Sequence, residues 1–284
     1  MRRAAVMGAA LVAVWAIGAG PVFAQQRPLV TEDPETVGAG RLLIEAGVDY
    51  VRDATFPLTG LSGNMWTIPT VGFSIGFSSI AELQIDGAIY RGLSITERGP
   101  GPLADATDIT GDHTSAPDDI VVATKIRMVS ETSSRPSFGI RFATKLPNAS
   151  TESGIGHDTT DFFASLLVGK TTRSIRLVGN GGLAIIGDPT KGDRQDDLLT
   201  FGVSLARAIT ASTEVVGEIN GRLNFESGDP TPGAESRGIV RVGGRFTHGT
   251  VRLDTGLLIG VTSHDPDIGF TAGLTWVFNA FQVP

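Results

Sequence analysis

The chain ends in a regular alternation of apolar residues with small or polar ones. In DIGFTAGLTWVF, residues 267–278, Phe270, Leu274, Trp276 and Phe278 lie on one side of the alternation, and glycine and threonine dominate the other. Successive side chains of a β-strand point to opposite faces, so a period of two predicts a strand with one apolar face. We therefore expect an amphipathic final strand.

The same period recurs along the chain and predicts twelve strands joined alternately by short turns and long loops, the longest being residues 97–119. These strands are residues 41–53, 66–77, 81–90, 120–131, 136–146, 161–170, 174–186, 197–209, 213–225, 236–247, 250–261 and 267–278. An even number of strands with tight turns on one side and longer loops on the other is typical of outer-membrane barrels. The predicted fold class is all-β, a transmembrane antiparallel up-and-down β-barrel of about 12 strands over residues 41–278, followed by a tail, residues 279–284.

The N-terminus has the features of an export signal. Arg2 and Arg3 precede an apolar run, and the small-residue pattern VFA follows at residues 22–24. These features predict a secretory signal peptide, residues 1–24, cleaved after Ala24. Residues 25–40, rich in proline, acids and glycine, are predicted to form a periplasmic lead-in at the barrel mouth. We expect the mature protein in the bacterial outer membrane, with both termini in the periplasm.

Composition narrows the range of functions. The formal net charge is −7 and cysteine is absent. An acidic chain is a poor match for nucleic acid, and without cysteine there is neither thiol catalysis nor a thiolate metal site. We predict no catalytic residues, no metal site and no cofactor. The expected partners are outer-membrane lipid, the barrel-assembly machinery during biogenesis and a small-molecule solute.

Charged residues fall on the side of the predicted strands opposite the apolar faces. An arginine or lysine at the bilayer midplane costs roughly 2–4 kcal/mol, so we expect these side chains to line the lumen. The predicted lumen-lining residues are Glu45, Asp49, Glu82, Asp86, Lys125, Arg127, Arg141, Lys145, Glu218, Arg222, Arg241, Arg245 and Arg252. Opposed acidic and basic walls favour zwitterionic or polar solutes; alternatively, the charges pair across the lumen and seal it.

Three segments carry a resemblance to a known family. They are the lead-in PLVTEDPETVGAG, the strand pair DDIVVATKIRMVSETSSRPSFGIRFATKLPN and the tail VRLDTGLLIGVTSHDPDIGFTAGLTWVF. The sequence resembles the outer-membrane transporter family associated with the meta-cleavage pathway of phenol degradation. The resemblance covers most of the chain after the signal and implies a barrel that passes aromatic catabolites.

Two local patterns suggest other chemistry. Residues 72–76, GFSIG, match the nucleophile elbow of hydrolases, with Ser74 as the nucleophile, but the elbow requires a strand, a sharp turn and a helix. Here a strand is predicted on both sides. His113, His157 and His264 each adjoin an aspartate in predicted loops and offer metal ligands, although we favour the explanation that they are solvated loop residues.

Our leading hypothesis is a channel for passive diffusion of small molecules, aromatic or other carbon compounds. The alternatives are a non-conducting envelope barrel acting as scaffold or surface binder, and an outer-membrane hydrolase.

Overall fold

A computed structural model describes residues 27–226 and 230–283 of the chain, which form a closed antiparallel β-barrel. The predicted signal peptide and residues 25 and 26 lie outside the described residues. Within the described ranges, none of the helical segments has the length and apolar character of a membrane-spanning helix.

The described part of the chain contains fourteen strands. They are β1 (Arg41–Phe56), β2 (Leu61–Gly76), β3 (Ala81–Ala88), β4 (Arg91–Arg98), β5 (His113–Ala116), β6 (Val121–Val129), β7 (Ser137–Lys145), β8 (Asp161–Thr172), β9 (Ile175–Gly187), β10 (Gln195–Ala208), β11 (Thr213–Leu223), β12 (Arg237–His248), β13 (Val251–Gly260) and β14 (Ile268–Asn279). Two short 3₁₀ turns, Ala104–Ala106 and Thr151–Ser153, lie in loops. All strands except β4 and β5 form the wall of the barrel, and we call these twelve barrel strands the staves. The predicted twelve-strand barrel is therefore confirmed.

The barrel closes between its first and last strands. β1 pairs with β2 on one side and with β14 on the other, from Arg41 opposite Asn279 to Arg52 opposite Ile268. Closure leaves no free edge among the twelve barrel strands, so their backbone N–H and C=O groups pair between neighbouring strands around the whole barrel. This is the condition that a sheet must meet to cross lipid.

The outer face of the barrel is apolar and the inner face is charged. Phe142, Leu166 and Leu253 project outward and are exposed, whereas Glu82 and Lys125 on the inner face are 0% exposed. This arrangement is the reverse of that in a water-soluble barrel, and it matches an exterior that contacts lipid.

Aromatic side chains mark both ends of the closing seam. Tyr50, Trp66 and Phe270 cluster at one end, with ring centroids 4.8–5.9 Å apart. Trp276 and Phe278 lie 4.3 Å apart at the other. Phe270 and Phe278 are separated by about 26 Å of strand, or roughly 20 Å along the barrel axis at a ~40° tilt. That spacing suits the two interfaces of a bilayer.

The two ends of the barrel differ. At the end that we call the turn side, β8 and β9, and likewise β12 and β13, are joined by two residues. At the other end, the loop side, residues 89–120, 146–160 and 224–236 connect the staves. The lead-in, defined from here on as residues 27–40, joins β1 at the turn side.

The longest connection contains structure that was not predicted. β3 pairs with β2 only as far as Thr70, and β4 then continues along the same edge, pairing with Leu61–Thr67 of β2. β5 pairs in turn with β4. The buried side chains of Leu93 and Ile95 alternate with Ser94 and Thr96, a period-two signal that was present in the sequence. β2 consequently begins at Leu61 rather than at residue 66.

Candidate functional site: the lumen and the segment inside it

The thirteen predicted lumen residues occupy positions on the inner face of the staves, and several pair within the wall. Arg241 contacts Glu218 at 2.9 Å. Arg245 and Arg252 approach Glu214 at 3.7 and 3.9 Å. Opposite charges on β11, β12 and β13 thus compensate one another along part of the lumen wall.

Near the loop side, wall residues also pair with residues of the loops. Lys145 bridges Asp119 at 3.2 Å and Asp161 at 2.8 Å. Arg222 lies 3.9 Å from Glu235 and donates hydrogen bonds to backbone oxygens of the same loop. These lumen bases therefore anchor the ends of two loops.

Several other bases of the β6–β9 wall pair with the lead-in, which lies inside the barrel. Arg176 of β9 binds Asp33 through two hydrogen bonds of 2.6 and 2.8 Å. Arg127 of β6 pairs with Glu35. A short acidic run of the lead-in therefore neutralises bases on neighbouring staves.

Glu32 lies in a buried site beside Lys125, whose side chain is fully buried. Its carboxylate lies 3.2 Å from Lys125 Nζ and 3.0 Å from Arg141 Nε, and Gln84 Nε2 is 3.4 Å away. Lys125 also pairs with Glu82 at 3.0 Å. Charges in such a dry site are tolerable only when they are paired and hydrogen-bonded.

The first described residue of the lead-in reaches the opposite wall. Arg27 donates to Thr70 at 2.9 Å and to Thr271 at 2.7 Å, and it lies 3.5 Å from both Asp49 and Asp254. These partners belong to β2, β14, β1 and β13. The lead-in therefore extends across the lumen and not only along one wall.

The wall also binds the backbone of the lead-in. The Val30 and Thr31 N–H groups donate to the Glu218 carboxylate at 2.8–3.1 Å. Asn180 accepts from the Glu32 N–H at 2.6 Å and donates to its carbonyl at 2.7 Å. Satisfied backbone groups hold the segment independently of its charges.

Glycines in the wall make room for the lead-in. An ideal Cβ at Gly202 of β10 would lie 3.5 Å from the Thr31 Cβ, and one at Gly256 of β13 would lie 3.2 Å from the Pro28 Cβ. Residues 31–34 are buried on all sides. Water therefore does not reach the side of these residues that faces away from the wall, and the lead-in occupies the lumen cross-section at this level.

Loops fold over the opposite mouth. Leu58, between β1 and β2, is buried, and its carbonyl accepts from the Leu103 N–H at 2.8 Å. The Thr59 hydroxyl donates to the Gly154 carbonyl at 2.7 Å, and Ile155 packs with Leu61 and other inner residues. We call residues 57–60 and 146–160 the cap.

His157 lies within the cap. Burial, together with the smaller effect of the nearby positive charge of Lys145, lowers the pKa of this side chain to about 4. His157 is therefore neutral at pH 7 and contributes no charge to the mouth.

A cavity of about 470 Å³ adjoins the lead-in. Its wall is partly apolar, and its acidic groups include Glu45, Asp49 and Asp86, of which Glu45 and Asp86 lie on either side of Gly72 in neighbouring strands. An ideal Cβ at Gly72 would lie 2.9 Å from Asp86 Oδ1 and 3.6 Å from Glu45 Oε2, so both carboxylates lie close to the space that a side chain at residue 72 would occupy. The volume is in the range of small-molecule binding sites.

The sequence patterns for other chemistry are not assembled into sites. Ser74 lies within the continuous strand β2, which leads to β3, so a nucleophile elbow does not form there. His113 contacts Tyr90 at 3.1 Å, and in the part of the chain that the structure describes, no three metal-ligating side chains come together. Four lumen groups lie outside any periodic strand and were therefore not predicted: Arg27, Glu32, Asp33 and Glu35.

The barrel resembles solved outer-membrane proteins in fold. An outer membrane channel from Pseudomonas putida F1 matches with a TM-score of 0.61 at 12% identity, over 87% of this chain and 98% of the channel. The NanC porin matches at 0.49 and 7% identity, over 83% and 98% of the two chains. The translocator domain of the autotransporter NalP from Neisseria meningitidis matches at 0.48 and 12% identity, over 85% and 89%. No protein-family model and no curated protein matches the sequence. The first likeness shows a barrel fold shared with an outer-membrane channel.

Proposed function

We propose that this protein is an outer-membrane channel for passive diffusion of small polar solutes, including aromatic ones, and that solutes pass when the lead-in leaves the lumen. The observation that carries the proposal is the composition of the lumen. Charged wall groups face a polar peptide segment that is joined to the barrel only at its β1 end in the described structure. A barrel that only needed a filled interior could fill it with side chains of its own strands, whereas here a separate polar segment lies in the lumen.

The alternative is a non-conducting envelope barrel. The burial of residues 31–34 and the folded cap favour it, because both close the lumen in this conformation. The two functions differ in one property, which is whether the lead-in moves.

A disulfide lock tests this movement. The chain has no cysteine, and the 3.5 Å separation of the Cβ positions at residues 31 and 202 is within the range of disulfides. In the variant Thr31→Cys with Gly202→Cys, we expect planar-bilayer conductance to disappear on oxidation and to return on reduction. Each single-cysteine variant is a control that should not respond to the redox change.

Deletion of residues 27–37 is the complementary experiment. We expect it to increase conductance, since it removes the acids and backbone groups that fill the lumen. If neither the deletion variant nor the reduced protein conducts, although both are folded and heat-modifiable, the channel hypothesis fails. If the oxidised double variant conducts as well as the reduced one, the lead-in does not control passage.

A further inference from the structure

The Glu32 carboxylate occupies a site that the barrel wall builds. Gln84 of β3, Lys125 of β6 and Arg141 of β7 come from adjacent staves, and Lys125 is directly opposite Arg141 in the strand register. Lys125 and Gln84 are buried. The wall holds these groups in place, so the site persists when the lead-in leaves.

An empty site would lack a negative charge. Without Glu32, Lys125 still forms an ion pair with Glu82 at 3.0 Å. The other carboxylate near Arg141 is that of Asp86, which lies 3.8 Å from the Arg141 guanidinium. A buried cation with incomplete compensation is unfavourable. Departure of Glu32 therefore favours the entry of another carboxylate.

The cavity adjoins this site. Asp86, which contacts Arg141, lines the cavity together with Glu45. Of the two bases that line the cavity, Arg27 belongs to the lead-in and leaves with it, and Arg241 pairs with Glu218 at 2.9 Å. The cavity next to the carboxylate site is therefore suited to a positive group.

The groups at this border define a class of solute. Asp86 and Arg141 lie close enough for the adjacent ammonium and carboxylate groups of an α-amino acid to meet both. Val51, Met65, Val71, Ile239 and Leu258 supply the apolar part of the cavity wall. The cavity carboxylates would repel a purely anionic solute. A purely cationic solute has no carboxylate to replace that of Glu32 beside Lys125 and Arg141.

We propose that the lumen binds zwitterionic solutes of the α-amino acid type with an apolar side chain, whose carboxylate replaces Glu32 on Lys125, Arg141 and Gln84 while the ammonium group lies between Glu45 and Asp86. The solute thereby competes with the lead-in for the wall and releases it. This inference rests on the proposed function, because it names the solute for the same lumen.

The test uses the rate of disulfide formation in the full-length mature Thr31→Cys, Gly202→Cys protein, which reports lead-in occupancy without any measurement of conductance. The probes are L-phenylalanine, 3-phenylpropionate, which lacks the ammonium group, phenethylamine, which lacks the carboxylate, and uncharged 2-phenylethanol. We expect saturating L-phenylalanine to slow oxidation about tenfold, the equivalent of one lost charge-assisted interaction. The three analogues should have little effect.

Variants of the wall identify the groups. In Arg141→Gln, L-phenylalanine should slow disulfide formation no more than phenethylamine does. In Asp86→Asn, it should slow disulfide formation no more than 3-phenylpropionate does. Lys170→Gln, at a base that pairs with Glu131 on the turn side, should leave the response unchanged. If Arg141→Gln does not fold, Glu32→Gln serves instead, and removal of the competing charge should lower the concentration of L-phenylalanine needed.

The possible outcomes separate the two proposals. Equal effects of all four probes, or no effect of L-phenylalanine, overturn the inference even if the deletion variant conducts. A specific effect of L-phenylalanine in a protein that never conducts supports the binding site and overturns the channel.

Discussion

Replacement of Lys125 by methionine should destabilise the barrel strongly. Lys125 is 0% exposed and forms ion pairs of 3.0 Å with Glu82 and 3.2 Å with Glu32. In the variant, Glu32 still forms its ion pair with Arg141. Glu82 has no ion pair left and accepts only two hydrogen bonds, from Gln84 at 2.9 Å and from the Val37 N–H at 2.6 Å.

One buried carboxylate therefore loses its countercharge, which costs about 3–5 kcal/mol in the free energy of unfolding. The measurement is urea unfolding in detergent, followed by tryptophan fluorescence and gel mobility. A second variant, Lys125→Met with Glu82→Gln, should recover most of the loss, because it removes the unpaired charge and keeps an acceptor for the Val37 N–H.

Lys145→Met is the matched control. Lys145 also bridges two carboxylates, those of Asp119 and Asp161, but it lies on the loop side and donates a hydrogen bond to Thr159 of the cap at 3.5 Å rather than to the lead-in. Its loss should lower stability while the conductance stays low, whereas Lys125→Met should also loosen the lead-in and raise conductance. A Lys125→Met protein within about 0.5 kcal/mol of the wild type, or a double variant no more stable than the single one, would refute the reasoning.

Three further predictions concern the lipid face, the lead-in and the cap. Leu274→Arg places a charge on the exposed lipid face, which costs roughly 2–4 kcal/mol near the bilayer midplane, so heat-modifiable protein should fail to accumulate in membranes. The control variant Leu274→Ala should assemble. Normal assembly of the arginine variant would contradict the membrane placement. In Gly76→Ala the new Cβ would clash with the Gly38 carbonyl oxygen, which should loosen the lead-in and raise conductance. Gly181→Ala is the control, because a Cβ there meets no other atom, and it should not change conductance. Equal conductance of the two variants would contradict the packing of the lead-in. His157 has a pKa of about 4 in the folded cap against 6.5 ordinarily, so the unfolded cap binds more protons between these values and stability falls, by up to about 3 kcal/mol, as the pH drops through that window. Hydrogen exchange of the cap should show this loss, His157→Gln should remove it, and an unchanged pH profile in that variant would contradict the assignment.

Several features of the barrel could be read from the sequence because they are local. Alternation along a strand follows from backbone geometry, so residues as far apart as Tyr50 and Trp276 could be assigned to the outer face without knowledge of their neighbours. The cost of charge in lipid then indicated the inner face for groups such as Lys125. The same rule could have found β4 from Leu93 and Ile95, had the polar surroundings of that segment not obscured it.

The contents of the lumen were decided only by the tertiary structure. The lead-in has no period, and nothing near Glu32 in the chain indicates that Lys125, 93 residues away, is its partner. Only the curvature and closure of the sheet bring β3, β6 and β7 around the lead-in and place Arg27 against β14. Strand periodicity depends on adjacent residues, whereas the pairing of charges inside a barrel depends on which staves face one another.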